Sequence, residues 1–101
     1  MKREVSMVRI HCSEKNGLHH DPLTQLHEPV RVAGATAFRG IAGFGGAGRM
    51  HEAGPLDLGM DLPIIIEFFD LPDKVGKTLQ HLQDKVAPGH IATRAAQANL
   101  D

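Results

Sequence analysis

The residues of this chain best suited to hold a ligand are Gly43-Phe44-Gly45-Gly46-Ala47-Gly48, which read G-x-G-x-x-G. In a dinucleotide-binding domain that pattern opens a helix, crosses over to a parallel strand and is followed by an acidic residue. Here Gly54, Pro55 and Gly59 come next and forbid such a helix. Gly43 and Gly48 also stand at the separation of the outer glycines of a P-loop. Yet Arg49 and Met50 occupy the positions where that loop needs lysine and then serine or threonine. What survives is the property both motifs share. Successive glycines let backbone N–H groups turn into a concave nest for anion oxygens, and no side chain blocks close approach. Arg49 would add a charge-assisted contact, and without a P-loop lysine the anion would be held modestly. On the residues alone a second reading stands beside this one, in which the glycines build a bulge and a flexible hairpin tip.

The remaining chemistry-bearing side chains form no recognisable pattern. The chain has seven histidines. His11 and Cys12 are adjacent, so in a strand they face opposite sides and cannot readily share one ion. His19-His20 and His27 match no ligand spacing, so no metal site is expected within one chain, although a symmetric assembly can gather histidines from several copies. Ser6 and Ser13 have no motif around them and Cys12 has no base near it in sequence, so no catalytic residue is assigned and no enzyme activity is expected. Glu67 lies in an apolar run. If it were buried and unpaired, its neutral form would be favoured; the alternative is a salt bridge to Arg9 or Arg39 on a neighbouring strand. Glu52, Asp57 and Asp61 read as a solvated loop face, and His51 either assists anion binding or is a plain loop histidine.

The elements that must position these residues can be read in order. Glu4 to Cys12 (EVSMVRIHC) predicts a strand. Asp21-Pro22 is a helix start, because aspartate caps free N–H groups and proline suits the first turn; Leu23 and Leu26 share a face and Pro29 ends the helix early. Ala35 to Ala42 (ATAFRGIA) predicts a second strand running into the glycines. Gly54, Pro55 and Gly59 make the stretch to Asp61 a loop, about 44–61 in all, and loops of that length are usually functional. Leu62 to Phe69 (LPIIIEFF) is the clearest strand, with Pro63 tolerable near its start. Pro72 opens a helix with an apolar stripe at Val75, Leu79, Leu82 and Val86. Pro88-Gly89 stops it, and Ile91 to Ala98 forms a last strand. This order predicts a single α+β domain over residues 1–101, a ferredoxin-like βαββαβ fold with a four-stranded antiparallel sheet and both helices on one face.

One strand carries a further consequence. Ile64, Ile66 and Phe68 point to one side of it, and Ile65 and Phe69 to the other. Helices cover only one face, and a solvated outer face should alternate more cleanly. The second apolar face needs another cover, most economically a copy of the same chain, so a homo-oligomer is expected.

Composition narrows the function classes. At 101 residues with a net charge of −1, the chain has a thin core and no electrostatic footprint for nucleic acid. The apolar run around Leu62 to Ile66 is too short to cross a bilayer, so no direct membrane insertion is expected. No apolar run follows Met1-Lys2-Arg3, so it is not read as a signal peptide. Cys12 is the lone cysteine, which excludes an internal disulfide and fits a reducing, cytoplasmic setting.

Gly34 to His51 (GATAFRGIAGFGGAGRMH) and Asp61 to Asp70 (DLPIIIEFFD) together resemble the PII-like signalling superfamily, and more narrowly its branch of uncharacterised small stand-alone proteins, domain of unknown function family 190. The resemblance spans Gly34 to about Val86. It implies a homotrimer with sheets facing inward, and a signal-transduction role in which a small molecule is sensed in clefts between subunits. It places ligand-binding residues at Arg39, Gly40, Gly43, Phe44, Gly45, Gly46 and Arg49, and in the later turn at Gly89 and His90. The loop 44–61 would then dock on a target, a transporter, channel or enzyme, through Arg49, His51, Leu56, Asp57 and Met60. The turn Pro88-Gly89-His90 is shorter than in PII and lacks its basic, glycine-rich pattern, and no arginine follows Arg94. The implied regulatory ligand is therefore AMP, ADP, cyclic AMP or bicarbonate in preference to tightly held ATP, with no prosthetic group. Two alternatives are a copper- or zinc-handling trimer of the same fold and an interaction module that binds no ligand.

Overall fold

The computed structural model describes residues 1–13, 24, 26–28, 30–44, 51–52, 62–83, 86 and 90–100. The strands are β1 (Lys2–Ser13), β2 (Gly34–Arg39), β3 (Ala42–Gly43), β4 (His51–Glu52), β5 (Pro63–Asp70) and β6 (Ile91–Asn99), with helix α1 (Pro72–Leu82) between β5 and β6. Four strands form one antiparallel sheet in the order β2-β5-β1-β6, and β3 pairs with β4 in a separate two-stranded ribbon. Apart from the ribbon, the order is that expected of a ferredoxin-like domain.

The apolar run of β5 explains why it lies inside the sheet. Ile64, Ile66, Phe68 and Asp70 are buried, and the residues between them are half-buried. Ile64, Ile66 and Phe68 join Val8, Ile10, Leu26, Val75 and Leu82 in one core, against which Cys12, Val32, Ala35, Leu79, Val86 and Ile91 pack. Pro72 stands at the start of α1, where its missing N–H costs nothing. Val75, Thr78 and Leu82 form its buried side. Thr78, polar and absent from the expected stripe, is accommodated because its hydroxyl donates to Lys74 O at 2.7 Å. The helix closes at Leu82, short of Val86, which still packs on the core.

The start expected at Asp21-Pro22, with Leu23 and Pro29, lies outside the described residues. Thr24, Leu26 and His27 are helical, Glu28 N–H donates to Thr24 O at 2.9 Å, and Leu26 is fully buried. The segment then turns through Arg31, which takes a left-handed φ of 59°, and is tied down by Asp70. That carboxylate accepts the Ala33 N–H at 2.9 Å and the Leu71 N–H at 2.8 Å, so its burial is compensated. No helix among the described residues is long and apolar enough to cross a membrane.

The second strand departs from expectation. The sequence predicts an unbroken strand from Ala35 to Ala42, but β2 ends at Arg39 and the chain bends at Ile41 before β3. Pro63 is the reason. Gly40 N–H donates to Pro63 O at 2.7 Å, and a Cβ built on Gly40 would meet Pro63 Cγ at 2.7 Å. The chain crosses over the proline ring and only then resumes extended pairing. The loop 44–61 differs too, since His51 and Glu52 lie in β4.

Candidate functional site

The register of the sheet sorts the candidate residues by face. Arg94, Met7, Phe69 and Gly34 lie opposite one another across the strands, and so do Ala92, Arg9, Glu67 and Thr36; His11, Ile65 and Phe38 form the next row. All lie on the face away from the core, because the alternate residues Val8, Ile10, Ile64, Ile66 and Phe68 are the core residues. This outer face carries the foreseen apolar side chains interleaved with the charged Arg9, Glu67 and Arg94: Met7, Ile65 and Phe69 are half-buried and Phe38 is 51% exposed. Glu67 is not an isolated acid there. Its Oε2 lies 2.7 Å from Arg9 Nε, directly across the strand pair, so Arg9 is its partner and the ion-pair reading holds. A small cavity of about 90 Å³ beside this pair is lined by Met7, Arg9, Glu67, Ala92, Thr93 and Arg94.

At one end of the sheet stand the C-terminus of β2 and the N-termini of β5 and β6. Arg39 is exposed on β2, Gly40 and Gly43 pack on Pro63, and Phe44 is 70% exposed. A Cβ on Gly43 would approach Pro63 Cγ to 3.3 Å, so the fit there is close but less severe than at Gly40. Pairing of Ala42 with Glu52 and of Gly43 with His51 brings the two ends of the intervening glycine-rich stretch side by side, as in the hairpin reading. His90 directly precedes β6 at this same end. Its Nδ1 lies 2.9 Å from His11 O, and the His11 N–H donates to His90 O at 2.7 Å.

These residues share an end of the sheet but not an edge. β2 and β6 are its two outermost strands, separated by β5 and β1. Three inter-strand steps of about 4.8 Å put them roughly 14 Å apart. Within one chain, the Arg39–Phe44 segment and His90 therefore do not meet on a common small ligand. Of the other residues assigned from sequence, Gly45, Gly46, Arg49, Gly89, Leu56, Asp57 and Met60 lie outside the described residues, and His51 is described through its backbone. Pro63 is the residue that sequence reading undervalued. The local sequence predicts only that it is tolerated near a strand start, whereas its ring and carbonyl set the path into the glycine-rich stretch.

A larger open cleft of about 660 Å³ lies at the opposite end of the sheet, lined by Arg3, Glu4, Leu71, Pro72, Asp73, Lys74 and Lys77. It contains none of the assigned residues and mixes both charges. Lys74 there is engaged by Arg31 O and by Asp70 at 3.6 Å. No cluster of three or more potential metal ligands occurs among the described residues. Cys12 is half-buried against the core, and desolvation raises its pKa and favours the thiol.

Comparison with known proteins places these features in a family context. The model of DUF190, an uncharacterized ACR family, matches residues 5–98. The UPF0166 protein of Aquifex aeolicus (strain VF5) is 28% identical over 83 residues, which is 78% of this chain and 79% of that protein. CPII from Thiomonas intermedia K12, solved with ADP and bicarbonate, superposes with a TM-score of 0.71 at 22% identity, covering 97% of this chain and 91% of its own. It is described as a nitrogen regulatory PII-like protein. The divalent ion tolerance protein CutA1 from Ehrlichia chaffeensis gives a TM-score of 0.59 at 12% identity, covering 96% of this chain and 83% of its own. At these identities the shared property is the fold, and it is the PII-like fold expected from the sequence.

Proposed function

The chain belongs to the DUF190 family, and from that premise we propose that it is a PII-like regulatory protein that senses a small anionic ligand between subunits. One observation carries the reading. The described residues among those assigned to the ligand fall on opposite edges of one sheet end, Arg39 to Phe44 on the β2 side and His90 on the β6 side. A single copy leaves them apart, whereas a second copy can set its β6 edge against the first copy's β2 end and complete a pocket. The apolar side chains on the outer face, Phe38, Ile65, Met7 and Phe69, supply a reason for copies to associate, and a homotrimer is the assembly proposed.

The ligand class is an adenine nucleotide such as AMP, ADP or cyclic AMP, or bicarbonate. Support comes from the anion-binding capacity of a glycine-rich backbone and from CPII, which shares the fold and was solved with ADP and bicarbonate. Ligand bound beside Gly43 and Phe44 would bias the stretch 44–61, whose Arg49, His51, Leu56, Asp57 and Met60 are the proposed contacts to a transporter, channel or enzyme. A ligand shifts such an element only by binding its two states unequally. The chain thus acts as a regulator in a cytoplasmic setting and not as a catalyst.

Calorimetry of the full chain against ADP, AMP, cyclic AMP, ATP and bicarbonate, with sedimentation velocity in parallel, tests this reading. Saturable binding of at least one of these, weakened in R39A and R49A while the oligomer persists, is the expected result. Absence of binding at millimolar ligand, or a chain that sediments as a monomer, would overturn it.

A further inference from the structure

His11 and His90 are 79 positions apart in sequence yet are joined twice across the end of the β1–β6 pair. The His11 N–H donates to His90 O at 2.7 Å, and His90 Nδ1 lies 2.9 Å from His11 O. A carbonyl oxygen cannot donate, so Nδ1 carries a proton, and in the neutral ring that leaves the lone pair on Nε2. That is how protein ligands to metals are usually arranged: the second ring nitrogen donates to a carbonyl, which fixes the tautomer and aims the free nitrogen. Both residues are exposed, so coordination there needs no burial of charge and leaves room for water ligands.

We propose that His11 and His90 form a two-imidazole anchor for a borderline divalent transition-metal ion, with zinc as the representative. Cross-strand neighbours have Cβ atoms about 5 Å apart, a separation from which two imidazoles can reach one ion with bonds of about 2.0–2.1 Å. Imidazole donors suit zinc and copper(II) and discriminate against magnesium and calcium. With two protein ligands and no third among the described residues, binding is weaker than at a closed structural zinc site. The pairing of His11 with Cys12 considered from sequence fails because they face opposite sides; the useful partner comes from the far end of the chain. The metal anchor shares His90 with the proposed nucleotide pocket, whereas His11 is outside that ligand set, so H11A separates the two readings.

The test is zinc titration of the untagged, chelator-treated full chain by calorimetry in a non-coordinating buffer, repeated on H11A, H90N and the control H81A. Asparagine at position 90 retains an N–H for the His11 carbonyl but removes Nε2, so it separates coordination from structure. Saturable binding that falls about tenfold or more in H11A and in H90N, unchanged in H81A, is expected, with ADP titration of H11A matching wild type. Zinc-induced shifts of the imidazole nitrogens of both residues in the wild-type protein give a second readout that no variant's folding can confuse. No saturable binding at millimolar zinc, or binding that survives either H11A or H90N, overturns the proposal, and the ADP titration of H11A keeps that outcome apart from the nucleotide reading.

Discussion

Gly40→Ala tests how the glycine-rich stretch is held. An ideal Cβ at position 40 would lie 2.7 Å from Pro63 Cγ and 3.3 Å from Pro63 O. Carbon atoms pack best at about 3.5–4.0 Å, so the ring or the bend must yield by roughly 0.8 Å. The ring is too stiff to swing aside, and the Gly40 N–H to Pro63 O bond at 2.7 Å holds the backbone in place. Overpacking of this kind costs about 1–3 kcal/mol. For a domain of this size each kcal/mol lowers the thermal midpoint by about 4–8 °C, so G40A should melt roughly 4–24 °C below wild type at equal protein concentration. Gly76 is the control, since it lies in α1 with nothing within 4 Å of a built Cβ; G76A should stabilise by about 1 kcal/mol. Pro63→Ala removes Cγ, so a double-mutant cycle of G40A with P63A should show a favourable coupling of about 1 kcal/mol or more. If G40A melts with wild type, or the cycle shows no coupling, the close approach of these two residues does not govern the bend.

Three other outcomes follow from contacts already described. D70A leaves the Ala33 and Leu71 N–H groups without their carboxylate acceptor and should lower stability by about 1–3 kcal/mol in urea unfolding. Cys12, whose pKa is raised by desolvation, holds less thiolate in the folded than in the unfolded chain at any pH near its titration. Its alkylation by iodoacetamide at mildly alkaline pH should therefore be slower when folded, and equal rates would show that burial does not protect it. F38E places a charge on the outer sheet face beside Ile65; it should weaken self-association in sedimentation while leaving the circular dichroism spectrum of the fold intact.

Much of the architecture was legible because apolar periodicity and proline placement are local signals. The run Ile64-Ile65-Ile66 with Phe68-Phe69 marked a strand apolar on both faces, and Pro72 marked the helix start. The interruption of the second strand was not legible, because Ala35 to Ala42 is locally compatible with one strand and the obstacle, Pro63, lies more than twenty positions later. Thr78 likewise reads as polar surface until its hydroxyl is seen to find a carbonyl within its own helix.

The glycine-rich segment shows where each kind of information ends. Residue types alone determined what it can do: its spacing and flanks excluded a Rossmann turn and a P-loop, and its glycines retained the capacity to cradle an anion. Tertiary structure decided its surroundings. Pro63 beneath Gly40 and Gly43 sets its approach, the β3–β4 pairing brings its ends together, and the strand order β2-β5-β1-β6 puts His90 on the far edge of the sheet. Strand order is a long-range property. Nothing in the local pattern of β2 or β6 records that two other strands stand between them, and so only the folded chain separates the Arg39–Phe44 segment from His90 while joining His90 to His11.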